Sequence, residues 1–151
     1  MVVASKGLAA ALYARDQVIA SYLAQESMEV IKNTRDNNLA AGRDWLTGII
    51  DSLNCTSSTN PCDASAITGV DENDGTSSFP IYFNSGTGYV TSSSGATPTI
   101  FKRYYYLTKP NPAAACTTAE TECQVNVYVI WNEGTVPYSV ELKSELVNNM
   151  R

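Results

Sequence analysis

Between Ser5 and Arg35 the chain has no proline, a single glycine at Gly7, and an abundance of Ala, Leu, Glu, Gln and Met, all good helix formers. Leu8, Leu12, Ile19, Leu23 and Val30 recur at intervals of four and seven, and Ala11, Val18, Tyr22 and Ile31 widen the line into a stripe. Asp16, Gln25, Glu29, Lys32 and Asn33 fall largely elsewhere. The pattern predicts one helix of about 45 Å at 1.5 Å per residue. That is longer than a single domain needs to span its own core, and 151 residues make one ordinary domain. The stretch Gly7 to Ala14 offers mainly alanine with Leu8, Leu12 and Tyr13, which the rest of the chain is too small to cover. Small residues permit close approach of a second helix. Leu8, Ala11, Leu12, Ile19 and Tyr22 are therefore expected to pack on other subunits.

Asp36-Asn37-Asn38 is expected to end this helix, because such side chains compete for backbone hydrogen bonds. A short amphipathic helix is predicted over Leu39 to Leu53, with Trp45, Leu46, Ile49 and Ile50 as its apolar face. From Asn54 to about Thr99 the composition is that of a loop, with brief strand candidates at Ile81–Phe83 and Tyr89–Thr91. The last third reads as β. Thr99–Thr108 is aromatic and β-branched, and Gln124–Asn132 places Val125, Val127, Val129 and Trp131 on one face. A turn at Asn132-Glu133-Gly134 leads to Tyr138, Val140, Leu142, Ser144 and Leu146 alternating against Ser139, Glu141, Lys143 and Glu145. One apolar face of an antiparallel meander needs cover, and the long helix is the element available. The expected fold is α+β: residues 1–38 a helical spine, residues 39–151 a globular head. Leu23, Val30, Val127, Val129, Trp131, Val140 and Leu142 are expected to form the core between them.

The four cysteines form two pairs of equal spacing, Cys55/Cys62 and Cys116/Cys123, each within a Thr/Ser/Pro/Ala-rich stretch. Structural zinc sites prefer closer cysteines with histidine help, and this chain has no histidine. Disulfides are the expectation, and they imply an oxidising compartment. Four cysteines allow three pairings, of which the local one is the simplest. Charged residues supply only 17% of the chain, against about 25% in a typical cytosolic protein. Ser, Thr and Asn carry the polarity instead, as suits an exposed surface outside the cytoplasm. A formal charge of −5 offers no basic stripe for nucleic acid.

Without histidine a Ser-His-Asp or Cys-His arrangement is excluded, and nothing singles out a catalytic pair among the fifteen acids. No enzymatic activity and no cofactor are expected. Asp71-Glu72-Asn73-Asp74-Gly75 resembles a calcium loop, but Val70 and Ile81 stand where an EF-hand places its first and last ligands. An irregular calcium site at Asp71–Asp74 is the weaker reading beside an acidic turn. Asn54-Cys55-Thr56 matches a glycosylation sequon. Lys102-Arg103 beside Tyr104-Tyr105-Tyr106 alternates between the faces of a strand, so it forms no nucleic-acid patch.

The run Ala14-Arg15-Asp16-Gln17-Val18-Ile19-Ala20-Ser21-Tyr22-Leu23-Ala24-Gln25-Glu26-Ser27-Met28-Glu29-Val30-Ile31-Lys32-Asn33-Thr34-Arg35-Asp36-Asn37-Asn38 resembles the helix just beyond the membrane segment of type IV pilin-like proteins. There the pattern A-x-x-L-A-Q-E-x-x-E-x-x-(K/R)-x-x-R-D precedes the head. The Trp131 strand and closing meander are similar in layout to the sheet of minor pilins and pseudopilins. The resemblance implies a structural subunit of a cell-surface filament, with the helix in the filament core and the head outside. Its partners would be other pilin-like subunits, and the inner membrane before assembly. Members of the family begin with a prepilin-peptidase site and an apolar helix bearing an acidic residue. These are not in this sequence, so no polymerisation residue carries over and Met1 is expected not to be the native start. A secreted binding module for glycan or surface protein is the alternative, and the genomic sequence upstream would discriminate.

Mass spectrometry of a non-reduced digest is expected to recover Cys55–Cys62 and Cys116–Cys123 linkages. Crossed linkages or free thiols would contradict the local pairing.

Overall fold

The computed structural model describes residues 2–50, 55–63, 79–110 and 114–149, with helix side chains described from Gly7 onward. Helix α1 spans Val2–Ala40 and is followed by five strands. These are β1 (Pro80–Asn84), β2 (Gly88–Val90), β3 (Thr97–Thr108), β4 (Glu122–Glu133) and β5 (Val136–Val147). The strands form one antiparallel sheet in the order β2-β1-β3-β4-β5. The arrangement is α+β, with α1, the one helix among the described residues, laid across one face of the sheet.

The helix runs through Asp36-Asn37-Asn38 rather than ending there. Asn38 does not compete with its own backbone because its side chain faces the following turn. Its amide donates to the Thr47 carbonyl at 2.7 Å, and its oxygen accepts from Arg43 Nε at 3.1 Å. The stop comes at Gly42, whose φ of +66° is accessible to glycine at little cost. Gly42 N–H bonds the Leu39 carbonyl and Arg43 N–H the Asn38 carbonyl, closing a Schellman cap. No second helix follows among the described residues. Gly48 is also left-handed, at φ +74°, and the Asp44 side chain accepts from Leu46 N–H, so successive turns replace the expected helix across Asp44–Ile50. Trp45, Leu46 and Ile49 are buried and Ile50 is half-buried. Residues 51–53 of that expected helix lie outside the described residues.

The alternation read from β4 and β5 is present in the sheet. Val125, Val127, Val129 and Trp131 are buried, and Val129 pairs with Val140, Val127 with Leu142. Val140 and Leu142 are only half-buried because β5 is an edge strand and α1 covers it from one side. Leu23 is buried and Val30 is half-buried against the same cluster. The brief strand candidates become the β1–β2 hairpin, which pairs through β1 with β3. Its turn is held by the Asn84 side chain, which accepts from Gly86 N–H at 2.8 Å and donates to the Gly95 carbonyl at 2.9 Å.

Helix and sheet are nearly collinear. Tyr13 packs on Tyr138 at 4.8 Å between ring centres, and Arg35 bonds the Val147 carbonyl at the far end of β5. From Tyr13 to Arg35 the helix rises about 33 Å; from Tyr138 to Val147 the strand rises about 31 Å. The two lengths match, so α1 tracks β5 throughout.

Both cysteine pairs form disulfides, Cys55–Cys62 and Cys116–Cys123, with no free cysteine among the described residues. The Cys55–Cys62 loop docks on the edge of β3 that the short β1 leaves open. Cys62 and Tyr105 exchange two backbone hydrogen bonds of 2.8 Å, and Leu107 N–H donates to the Cys55 carbonyl at 2.7 Å. The second disulfide closes the connection from β3 to β4, where Lys109 also pairs with Glu120 at 2.6 Å.

Trp131 is 3% exposed between Phe101, Tyr138 and Tyr13. Trp131→Ala is expected to cost about 3–5 kcal/mol. Thermal or denaturant unfolding measures it, and a variant melting with the parent would show that this side chain carries no packing load.

Candidate functional site

An α-helix turns about 100° per residue, so its faces follow from spacing alone. The face of α1 toward the sheet is Tyr13, Asp16, Ala20, Ala24, Ser27 and Ile31, joined by Leu23 and Met28. Ala20, Ala24 and Ser27 are fully buried, and their small size lets the helix backbone approach closely. The single stripe expected from the large apolar residues is thus divided. Leu23 and Val30 flank the buried face, whereas Leu8 is 64% exposed and Tyr22 68%. Leu12, Val18 and Ala11 are exposed with them, and Ile19 is half-buried at the border. These six residues form a second stripe pointing away from the sheet.

This outward stripe changes character along its length. From Leu8 to Tyr22 it is apolar and interrupted only by Arg15; beyond Tyr22 it continues with Glu26, Glu29 and Asn33. Residues 2–12 carry about 16 Å of helix past Tyr13, against about 7 Å of β5 before Tyr138. Described side chains from Gly7 to Leu12 are all exposed. The sheet's inner face therefore covers the helix from Tyr13 onward and leaves Gly7 to Leu12 bare.

Where the stripe passes the β1–β2 hairpin, a shallow groove of about 310 Å³ opens, lined by Ile19, Tyr22, Leu23, Glu26, Thr87 and Tyr89. The exposed Phe83 ring meets Tyr89 edge-on at 5.4 Å, and Tyr89 meets Phe101 at 6.4 Å. Through Phe101, Trp131, Tyr138 and Tyr13 the rings continue across the sheet beneath the helix. At the groove's end Glu26 Oε2 accepts from Arg103 Nη1 at 2.7 Å.

The opposite face of the sheet carries Tyr104, Tyr128 and Tyr106, stacked at 5.2 and 5.8 Å with nearly parallel rings. Tyr128 donates to Glu141, which also pairs with Lys143 at 3.0 Å. Burial, with the hydrogen bonds to Glu141 and Tyr106, pushes the Tyr128 phenol well above its ordinary value. The Tyr128 hydrogen bond holds the Glu141 carboxyl below the usual range. Tyr105, on the inner face, is raised by burial and donates to the Ile49 carbonyl at 2.7 Å. Arg103 and Tyr105 point inward while Lys102, Tyr104 and Tyr106 point outward, so the basic and aromatic residues do not share a patch.

Asp71–Asp74 and Asn54 of the sequon lie outside the described residues. Among the described residues no group of three His, Cys, Asp or Glu is placed to hold a metal, and no helix is long and apolar enough to cross a membrane. Comparison with protein-family models, curated proteins and solved structures finds no match. The outward stripe with its groove is the candidate site, and its chemistry is that of apolar docking flanked by charge. The groove's second wall, Thr87 in the hairpin turn and Tyr89 on β2, falls at the brief strand candidate Tyr89–Thr91, but the sequence did not show that it faces α1.

In the protein at low concentration, amide hydrogens before Tyr13 are expected to exchange fast and those from Ala20 to Ile31 slowly. Uniform protection from Gly7 onward in a proven monomer would mean that the first turns are covered.

Proposed function

We propose that this chain is a non-enzymatic structural subunit of an extracytoplasmic bacterial surface filament of the type IV pilus or pseudopilus kind. The helix would lie in the filament core and the head outside it. The observation that carries this reading is the second apolar stripe, Leu8 to Tyr22, on a helix that already satisfies the sheet with a different face. A monomer gains nothing from exposing Leu8, Leu12, Val18 and Tyr22 together, and such patches mark interaction surfaces. The layout of one long N-terminal helix on an antiparallel sheet supports the same reading, as does the resemblance of Ala14–Asn38 to pilin-like helices. Two disulfides fit assembly in an oxidising compartment. In this reading other pilin-like subunits are the partners, and the subunit is held in the inner membrane before assembly by an apolar segment of the family's type.

A secreted binding module is the second reading, favoured by the tyrosine stack on the sheet face turned away from the helix. Immunogold labelling of producing cells with antibodies to the folded head separates the two. Gold particles in rows along surface filaments are expected. Antigen found only as monomer in the culture medium would overturn the filament reading in favour of the secreted module.

A further inference from the structure

Resting on the filament reading, we propose that the outward stripe docks on a second copy of this chain, parallel and displaced by eleven residues along the helix axis. The Leu8–Arg15 segment of one subunit then occupies the groove between α1 and the β1–β2 hairpin of the next.

The spacing of the stripe carries the argument. The groove takes Ile19, Tyr22, Leu23 and Glu26 from α1. Eleven residues earlier, on the same face, stand Leu8, Ala11, Leu12 and Arg15, with the same i, i+3, i+4, i+7 spacing. Eleven residues are close to three full turns, a displacement of about 16 Å. One segment is small and apolar with a terminal cation, its side chain 62% exposed; the other is a groove ending in a carboxylate whose side chain is 53% exposed. The displacement seats Leu8 beside Ile19, Ala11 beside Tyr22 and Leu12 beside Leu23. Arg15 arrives beside Glu26, with Glu29 one turn further on the same stripe.

Two other ways of burying the Leu8–Leu12 segment against a second copy fail on charge. A parallel pair in register sets Arg15 against Arg15 and Glu26 against Glu26. An antiparallel pair that overlaps the apolar segments, Leu8 on Tyr22 and Leu12 on Val18, again sets Arg15 against itself. Of the in-register parallel, antiparallel and staggered parallel pairings that bury the Leu8–Leu12 segment, the staggered one joins apolar to apolar and cation to carboxylate at once. It is also heterologous, using a different surface on each partner, so it leaves one knob and one groove unfilled at the ends. Contacts of that type propagate into rings or open filaments rather than closing as a dimer.

A benzophenone amino acid in place of Leu8 in an isotopically light chain, mixed at high concentration with unmodified heavy chain, reads the pairing directly. After irradiation and trypsin, the light peptide spanning 7–15 is expected to be joined to the heavy peptide spanning 16–32. Joining to heavy 7–15 would overturn the stagger. No heavy peptide at all would overturn a second copy as the occupant, leaving a different protein to cover the stripe. Arg15→Glu in the light chain is expected to lower the covalent-dimer yield several-fold, and Glu29→Arg in the heavy chain to restore it; no response to either would exclude the charge pairing. Leu12→Ser, at an exposed position, is expected to keep the parent melting temperature and lose the cross-link. If gold decorates filaments while no cross-link forms, the filament reading stands and this pairing falls. If the cross-link forms and no filament is labelled, the pairing stands without the surface filament.

Discussion

The contact on which the rest of the fold depends is the close approach of α1 to β4 and β5, pinned from β3 by Arg103. Its guanidinium, 6% exposed, donates to the Leu23 carbonyl at 3.0 Å and to Glu26 at 2.7 Å. That reach requires Ala20, Ala24 and Ser27 on the facing turns, since a larger side chain at any of them would hold the helix off. Ser27 also returns its hydroxyl to the Leu23 carbonyl at 3.1 Å, so one peptide oxygen serves the helix ladder, a serine and a strand arginine. Apolar burial sets the strength of the helix–sheet contact, but it is indifferent to rotation about the helix axis. A directional, charge-assisted bond to a single carbonyl is not. Arg103 therefore selects which face of α1 looks inward, and by exclusion which looks out.

This explains what could be read from the sequence and what could not. The existence of the helix was legible because thirty-odd residues of strong formers admit little else. The inward faces of β4 and β5 were legible because Val125, Val127, Val129 and Trp131 are large and strictly alternating. The inward face of α1 was hidden because it is written in Ala20, Ala24 and Ser27, which carry little hydropathy, while Leu8, Val18 and Tyr22 dominate the pattern from outside. Asn38 read as a breaker because the partners of its buried side chain, the Thr47 carbonyl and Arg43, lie beyond the helix end. Trp45, Leu46 and Ile49 are buried as their spacing suggested, but Gly42 and Gly48 both require left-handed backbone, so turns rather than a helix present them. The groove was invisible because, although its short strand was a candidate, nothing in the sequence says that the β1–β2 hairpin lies beside α1.

The disulfide loops act on the sheet as well as on chain entropy. β3 is far longer than β1, so its outer half would present free N–H and C=O groups, a template for unwanted pairing. The Cys55–Cys62 loop supplies those partners from outside the sheet proper. Cys55 itself sits at φ +67°, a conformation that costs a non-glycine residue on the order of 1–2 kcal/mol. It is held there by the crosslink on one side and the Leu107 hydrogen bond on the other.

The same loops have a mechanical meaning for a chain that bears load. An extended strand gives about 3.5 Å per residue when pulled out, and each disulfide bypasses a span with a sequence separation of 7. Each therefore withholds about 20 Å of contour length from any applied tension. The withheld segments flank β3, the strand that grips the helix through Arg103. A pull along α1 loads the helix–sheet contact in shear, and neither crosslinked loop can pay out its own length. The head would then transmit force as a short, stiff link.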